Sequence, residues 1–314
     1  MRRQKPVDGS SVARSGPPGM GANMAAAGPP GITFSLATDV GRVRRNNEDF
    51  GQAERVLRGN QRYSLWAVAD GVGGGPQGER ASRVAVETVV DYIVHEEWHD
   101  PTTALTQAFA LANRNVYEIT GDGAAASTMV AALVSEPERM VTIANVGDSR
   151  AYIVVGERAQ PITIDHSIVA ALVAAGEMTA VEARTAPDRN VLTRSIGSEM
   201  EVPIDLFGPR QLALDERLIL CTDGVHGMID DETIGRVAGT HEIPDCAAAL
   251  VAADVEAGGR DNATALVGGY AAATAAGGQS GGARSTRRRR LVLGAVAVIA
   301  VILLVTVAVA ARSH

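Results

Sequence analysis

Leu65-Trp66-Ala67-Val68-Ala69-Asp70-Gly71-Val72-Gly73-Gly74 sets an aspartate and a glycine at the end of a short apolar run. A run of roughly four to eight apolar residues bounded by turn residues reads as a strand buried on both faces. The arrangement recurs: residues 141–146 lead into Gly147-Asp148-Ser149, and residues 218–221 with Thr222 lead into Asp223-Gly224. Asp261-Asn262 is the reverse case and precedes the strand-like stretch 263–268. Each of these aspartates is therefore expected in a turn at a strand end. Carboxylates gathered at one place cost folding energy unless something cationic meets them. Oxygen ligands without histidine or cysteine suit Mg²⁺ or Mn²⁺ rather than zinc, so a pair of divalent ions is the expected occupant.

The 314 residues suffice for one large domain or two small ones. Aromatics make up 4% of the chain, so the core must be built from Val, Ala, Leu and Ile. A net charge of −7 argues against a nucleic-acid-binding body. The two cysteines, Cys221 and Cys246, are too few for a disulfide framework and wrongly spaced for zinc, which fits a reducing cytoplasm.

Residues 1–30 are rich in Gly, Pro, Ala and Ser without apolar period and read as a disordered tail. The globular part is expected over 31–270. Helical spacing marks 78–94, 101–119 and pieces near 166–175, 179–184 and 244–256. Residues 127–134 and 140–155 read as strands, the second broken into a hairpin at Gly147-Asp148-Ser149. Strands grouped with strands and helices with helices imply a layered α+β domain rather than a doubly wound parallel sheet. Residues 271–290 form an Ala/Gly/Ser linker ending in four arginines, Arg287 to Arg290. Residues 291–311 are uncharged and apolar; at about 1.5 Å per residue they span roughly 30 Å, the thickness of a bilayer core. This reads as a single transmembrane helix in the cell membrane, with the domain cytoplasmic and residues 312–314 outside.

His95-Glu96-Glu97-Trp98-His99 matches the H-E-x-x-H pattern of zinc proteases. Asp100-Pro101 follows at once, so His99 is expected at or past a helix end, and the match is read as chance. The segment Gly41-Arg42-Val43-Arg44-Arg45-Asn46-Asn47-Glu48-Asp49 supplies guanidinium groups beside two acids, a pairing suited to phosphate.

Taken together, Arg44-Arg45-Asn46-Asn47-Glu48-Asp49, Ala67-Val68-Ala69-Asp70-Gly71-Val72-Gly73-Gly74, Gly78-Glu79-Arg80-Ala81-Ser82, Asn145-Val146-Gly147-Asp148-Ser149-Arg150-Ala151-Tyr152, Cys221-Thr222-Asp223-Gly224 and Gly259-Arg260-Asp261-Asn262-Ala263-Thr264 resemble the motifs of the PP2C-type (PPM) metal-dependent protein serine/threonine phosphatases in their bacterial form. The resemblance covers about residues 32–269. It implies a four-layer α-β-β-α sandwich of two antiparallel sheets flanked by helices, with metals in a cleft at one end. It implies that Asp70 bridges two Mn²⁺ or Mg²⁺ ions, that the Gly71 carbonyl completes one site, and that Asp223 and Asp261 hold the other. Asp148 with Asp223 would hold a third ion, Glu48 and Asp49 would act through metal-bound waters, and Arg44 would bind the substrate phosphate. The implied reaction is direct attack of a metal-activated water on phosphoserine or phosphothreonine in proteins. The implied partners are Ser/Thr kinases and their phosphorylated substrates, and no nucleic acid.

Two departures stand out. Phe50 follows Asp49 where some family members carry a histidine that serves as general acid, so no protein acid is assigned. Ala126-Ser127-Thr128 stands where Gly-Thr-Thr is usual, and a small backbone adjustment is expected there. Residues 161–197, with Asp165-His166-Ser167 and Arg189-Asn190-Val191-Leu192-Thr193-Arg194, resemble the family's flap beside the cleft, with His166 in a structural role. The alternatives are a phosphoprotein-binding pseudophosphatase adaptor and a small-phosphoester hydrolase.

Overall fold

The computed structural model describes residues 24–27, 31–73, 76–121 and 124–270. In chain order the strands are β1 (Met24–Ala27), β2 (Ile32–Asp39), β3 (Asp49–Arg58), β4 (Gln61–Val72), β5 (Ala126–Ser127), β6 (Met129–Ser135), β7 (Met140–Val146), β8 (Arg150–Val155), β9 (Arg158–Pro161), β10 (Asp205–Gln211), β11 (Glu216–Cys221) and β12 (Ala263–Tyr270). The helices are α1 (Pro76–His95), α2 (Pro101–Ile119), α3 (Ile168–Ala174), α4 (Ala180–Thr185), α5 (Asp223–Met228), α6 (Asp231–Thr240) and α7 (Ile243–Ala257). One sheet runs β1-β2-β12-β11-β8-β9 and the other β10-β7-β6-β4-β3, with β5 added to β4. Every pairing is antiparallel.

The apolar runs are continuous because the central strands are covered on both faces. Along β4, Leu65, Ala67 and Ala69 turn toward α1 and α2, while Trp66 and Val68 turn toward the other sheet. In β11, Leu218 and Leu220 meet the facing sheet, and Ile219 and Cys221 pack beneath α5, α6 and α7. The order of layers is helix, sheet, sheet, helix, the expected sandwich. Cys221 and Cys246 are free and buried, as small core side chains.

β1 pairs with β2 from within the stretch read as a tail, with Met24 opposite Leu36. The rest of that tail lies outside the described residues, as do the linker, the predicted span 291–311 and residues 312–314. Among the described residues no helix is long and apolar enough to cross a membrane.

Two expected turns are not turns, and a third is not a hairpin. Asp70 and Gly71 lie inside β4, because Asp70 continues the ladder opposite Asp49 and Gly71 opposite Ser127. Gly147-Asp148-Ser149 is no hairpin: β7 belongs to one sheet and β8 to the other, so the chain crosses the sandwich there. Gly147 makes the crossing at φ +107°, and a Cβ on it would fall 2.5 Å from that of Thr128. Asp223 and Gly224 open α5, with Thr222 as N-cap. Helix α6 escaped the periodicity analysis because Gly235 and Gly239 weaken its helical signal; both lie under the β8–β9 turn, where a Cβ on Gly235 would sit 2.3 Å from the Glu157 carbonyl oxygen. β3 escaped it as a polar edge strand. Ala126 does not have positive φ, so its side chain is accommodated in an ordinary backbone conformation.

Candidate active site

One end of the sandwich collects the end of β4, the start of β3, the β7–β8 crossing, the start of α5 and the turn before β12. The cavity there has a volume of about 160 Å³ and is lined by Arg44, Glu48, Asp70, Gly71, Val72, Gly73, Thr128, Asp148, Asn190, Leu192, Asp223, Asp261 and Asn262. Of the residues expected at the site, Asp49 alone is not on that wall. It lies behind it, paired across the β3–β4 ladder with Asp70.

Hydrogen bonds hold the frame. Thr128 Oγ1 accepts from Asp70 N at 3.1 Å, and Ser127 Oγ donates to the Asp70 carbonyl at 2.8 Å. Gly71 N donates to the Glu48 carbonyl at 3.1 Å. Thr222 Oγ1 donates to Asp49 Oδ2 at 2.7 Å and accepts from Thr264 N at 3.0 Å. Asn262 is the principal clamp: its Oδ1 accepts from Glu48 N at 2.8 Å, and its Nδ2 donates to the Val40 and Asn46 carbonyls, each at 2.9 Å. Sequence reasoning quoted Asn262 and Thr222 only as neighbours of acids. Their value lies in bonds to distant backbone, which spacing does not disclose. Arg44 Nη2 donates to Asp261 Oδ2 at 2.7 Å.

The carboxylates are under electrostatic stress. Burial pushes Asp49 up to about 7, with Asp223 and Asp261 adding repulsion against the bonds from Thr222 and Thr264. Burial, then Asp49, Asp223, Asp148 and Asp261, lift Asp70 well above the usual carboxylate range. Asp148 is lifted by burial, Asp223 and Asp165, and Asp223 by burial and Asp261. Asp49 Oδ1 and Asp223 Oδ1 are buried with no hydrogen-bond partner. An all-oxygen donor set with repelling acids and orphaned lone pairs fits hard divalent cations. Among the described residues no three His, Cys, Asp or Glu side chains form a ready-made ion cage, so carbonyls and water would have to complete the coordination.

Two histidines stand behind the cleft, and neither lines it. His226 Nε2 donates to the Asp148 carbonyl at 3.0 Å, and burial pushes its pKa down to about 3, so the ring is neutral. Gly147 N donates to His166 Nδ1 at 3.1 Å, which leaves Nε2 to donate to Asp205 Oδ2 at 3.1 Å. Arg194 Nη1 donates to Asp205 Oδ1 at 2.8 Å. His166 thus bolts the segment 161–197 to the residue beside Asp148, the structural role expected of it. That segment reaches the cavity through Asn190 and Leu192. The H-E-x-x-H match dissolves: α1 ends at His95, and both His95 and His99 are exposed.

A second tier lies under the site. Asp254, on the buried face of α7, is fully buried and neither carboxylate oxygen has a hydrogen-bond partner. Burial, then Asp39, Asp261 and Asp223, push it up to about 7. Between about pH 4 and 7 the folded chain keeps a proton that the unfolded chain has released, so this group lowers stability as pH rises. Asp254→Ala is expected to stabilise the protein by about 1–3 kcal/mol at pH 8 and by less at pH 5. Thermal melts in chelator at the two pH values check this; a gain that is equal at both, or absent, contradicts it.

The profile of the family Protein phosphatase 2C matches residues 41–243. The chain is 31% identical over 248 residues to the serine/threonine phosphatase stp of Listeria innocua, covering 73% of this chain and 92% of that one. It is similar to the crystal structure of the PPM Ser-Thr phosphatase MsPP from Mycobacterium smegmatis in complex with cacodylate, at TM-score 0.68 and 32% identity, over 77% of this chain and 100% of that one. It is also similar to the catalytic domain of the phosphatase PstP in complex with two manganese ions, at TM-score 0.64 and 28% identity, over 76% of this chain and 98% of that one. This protein belongs to the protein phosphatase 2C family.

Proposed function

We propose that the protein removes phosphate from phosphoserine and phosphothreonine in proteins, in a reaction that requires divalent metal. The observation that carries this is the convergence of one guanidinium, Arg44, with Asp70, Asp148, Asp223 and Asp261 on a single cavity, in front of buried acid oxygens that have no hydrogen-bond partner among the described residues. The full set of carboxylates favours turnover over a binding-only adaptor.

Asp70 and the Gly71 carbonyl, with Asp223 and Asp261, would hold two Mn²⁺ or Mg²⁺ ions, and Asp148 with Asp223 a third. Bound there, the ions supply an activated water nucleophile and neutralise charge on the phosphoryl group. Arg44 gives one N–H group to Asp261, and the rest of its fork is left to grip phosphate oxygens. Asp261 thereby positions Arg44. Glu48, on the cavity wall, and Asp49, behind it, would act through metal-bound water. With no histidine on the cavity wall among the described residues, the leaving serine or threonine oxygen takes its proton from water.

Hydrolysis of a phosphothreonine peptide should require added Mn²⁺ or Mg²⁺ and stop in EDTA. Turnover that survives chelation, or metal binding without turnover, defeats the reading. A phosphothreonine peptide turned over no better than a simple aryl phosphate would favour the small-ester alternative.

The sequence of residues 287–311 supports a membrane anchor, with the domain cytoplasmic and membrane-associated Ser/Thr kinases and their substrates within reach. The full chain should sediment with membranes and resist carbonate extraction, whereas a chain ending at Tyr270 should stay in the supernatant. A full chain released by carbonate refutes the anchor.

A further inference from the structure

Two surface loops meet beside the cleft: residues 40–48 between β2 and β3, and residues 258–262 between α7 and β12. Arg42 N donates to the Gly259 carbonyl at 2.7 Å. A Cβ on Gly259 would come within 3.3 Å of Arg42 Cγ, and one on Gly41 within 2.3 Å of the Asp261 carbonyl oxygen. The loops are in backbone contact, and four exposed arginines project from them: Arg42, Arg44, Arg45 and Arg260. Arg44 is engaged with Asp261 inside the cleft. The side chains of Arg42, Arg45 and Arg260 make no ion pair or hydrogen bond among the described residues. Of the nearby acids, Asp39 Oδ1 accepts from Gly41 N, Asp261 holds Arg44, and Glu48, Asp49 and Asp254 are buried away from these side chains. Three uncommitted guanidinium groups therefore stand on the loops that carry Arg44, the arginine assigned to the substrate phosphate.

We propose that Arg42, Arg45 and Arg260 form an accessory anion subsite that takes a second negative group of the substrate, a carboxylate or a further phosphate, near the phosphorylated residue. The proposal rests on the phosphatase reading. The loops that carry these arginines adjoin Arg44, and an extended peptide advances about 3.3–3.6 Å per residue, so the second anion is placed within a few residues of the group held by Arg44. Guanidinium forks suit both anions, and phosphate more strongly because it carries more charge. The subsite acts on affinity rather than on the chemical step, since none of its members faces the cavity.

The test uses the full chain in Mn²⁺ with three fluorescent peptides carrying a hydrolysis-resistant phosphonate analogue of phosphothreonine. One has neutral flanks, one has glutamates two and three residues away, and one has a second phosphothreonine analogue there. Fluorescence anisotropy should show the glutamate peptide binding about threefold tighter than the neutral one and the doubly phosphorylated analogue about tenfold tighter. The variant R42A/R45A/R260A should bind all three alike while hydrolysing p-nitrophenyl phosphate as fast as the parent. A gain for both flanks assigns the subsite to anionic side chains generally, and a gain for the second phosphate alone assigns it to phosphate. Equal binding of the three peptides by the parent, or a preference that survives in the variant, overturns the proposal. Absence of turnover on hydrolysable phosphothreonine peptides would instead overturn the phosphatase reading, and the binding comparison stands apart from it.

Discussion

Asp223→Asn is expected to abolish turnover and at the same time to yield a protein that melts higher than its parent in chelator. The two effects have one cause. Asp223 Oδ1 is buried without a partner, and burial together with Asp261 makes its charge unfavourable in the fold. Asparagine keeps the shape and removes the charge. The loss of a favourable acid in the first turn of α5 gives back about 0.3–1 kcal/mol. That is smaller than the cost of about 1–3 kcal/mol for a buried, unsatisfied polar group. In function the same charge is indispensable, because Asp223 serves two of the proposed ion positions. The expected loss is about 10³-fold or more in kcat/KM on a phosphothreonine peptide in Mn²⁺, equivalent to several kcal/mol of metal-supplied stabilisation. A variant that keeps a tenth of the activity, or melts lower than the parent without metal, contradicts this account.

Gly71→Ala is expected to lose stability and activity together. The Cβ would sit 2.1 Å from the Gly78 carbonyl oxygen in the first turns of α1. Gly78 is itself pressed against Glu48, whose Oε2 would lie 2.1 Å from a Cβ there. Backbone is packed on backbone, so no side chain can swing aside. The methyl must lift α1 off the cleft floor, at about 1–3 kcal/mol for overpacking. That corresponds to a fall of about 2–4 °C in melting temperature per kcal/mol. Because Asp70 and Glu48 move with the floor, kcat should fall about 10²-fold, the scale associated with a misplacement of about 1 Å. A melt and a steady-state assay on one preparation decide the matter; an unchanged melting temperature would mean that the contact is not rigid.

These variants show what could be read from the residues alone and what could not. The apolar runs ending in aspartate were legible because strands buried on both faces leave a continuous signature. So was the identity of the acids, since motif order carried them. Their local placement differs at Asp70 and Asp223, and the turn at Asp148 joins two sheets instead of closing a hairpin. An Asp-Gly pair looks the same in a turn, inside a strand such as β4 or at the first turn of α5, and only pairing with Asp49 and Ser127 distinguishes the strand. The crossing at Gly147 could not be told from a hairpin, because sheet membership is set by partners such as β10 and β11 far along the chain. Asn262 and Asp254 stayed hidden for a related reason. What matters for both is burial against other segments, and neither residue type nor period reports it.

β12 begins next to Asp261 at the mouth of the cleft and ends at Tyr270, whose hydroxyl donates to the Glu136 carbonyl beyond the far end of β6. Eight residues of strand carry the chain about 25 Å from the chemistry before it leaves the domain. An attachment made at Tyr270 would therefore be made about 25 Å from the catalytic cleft. Immobilising the domain through this end should alter which phosphoproteins come within range and leave the rate constant for each one untouched.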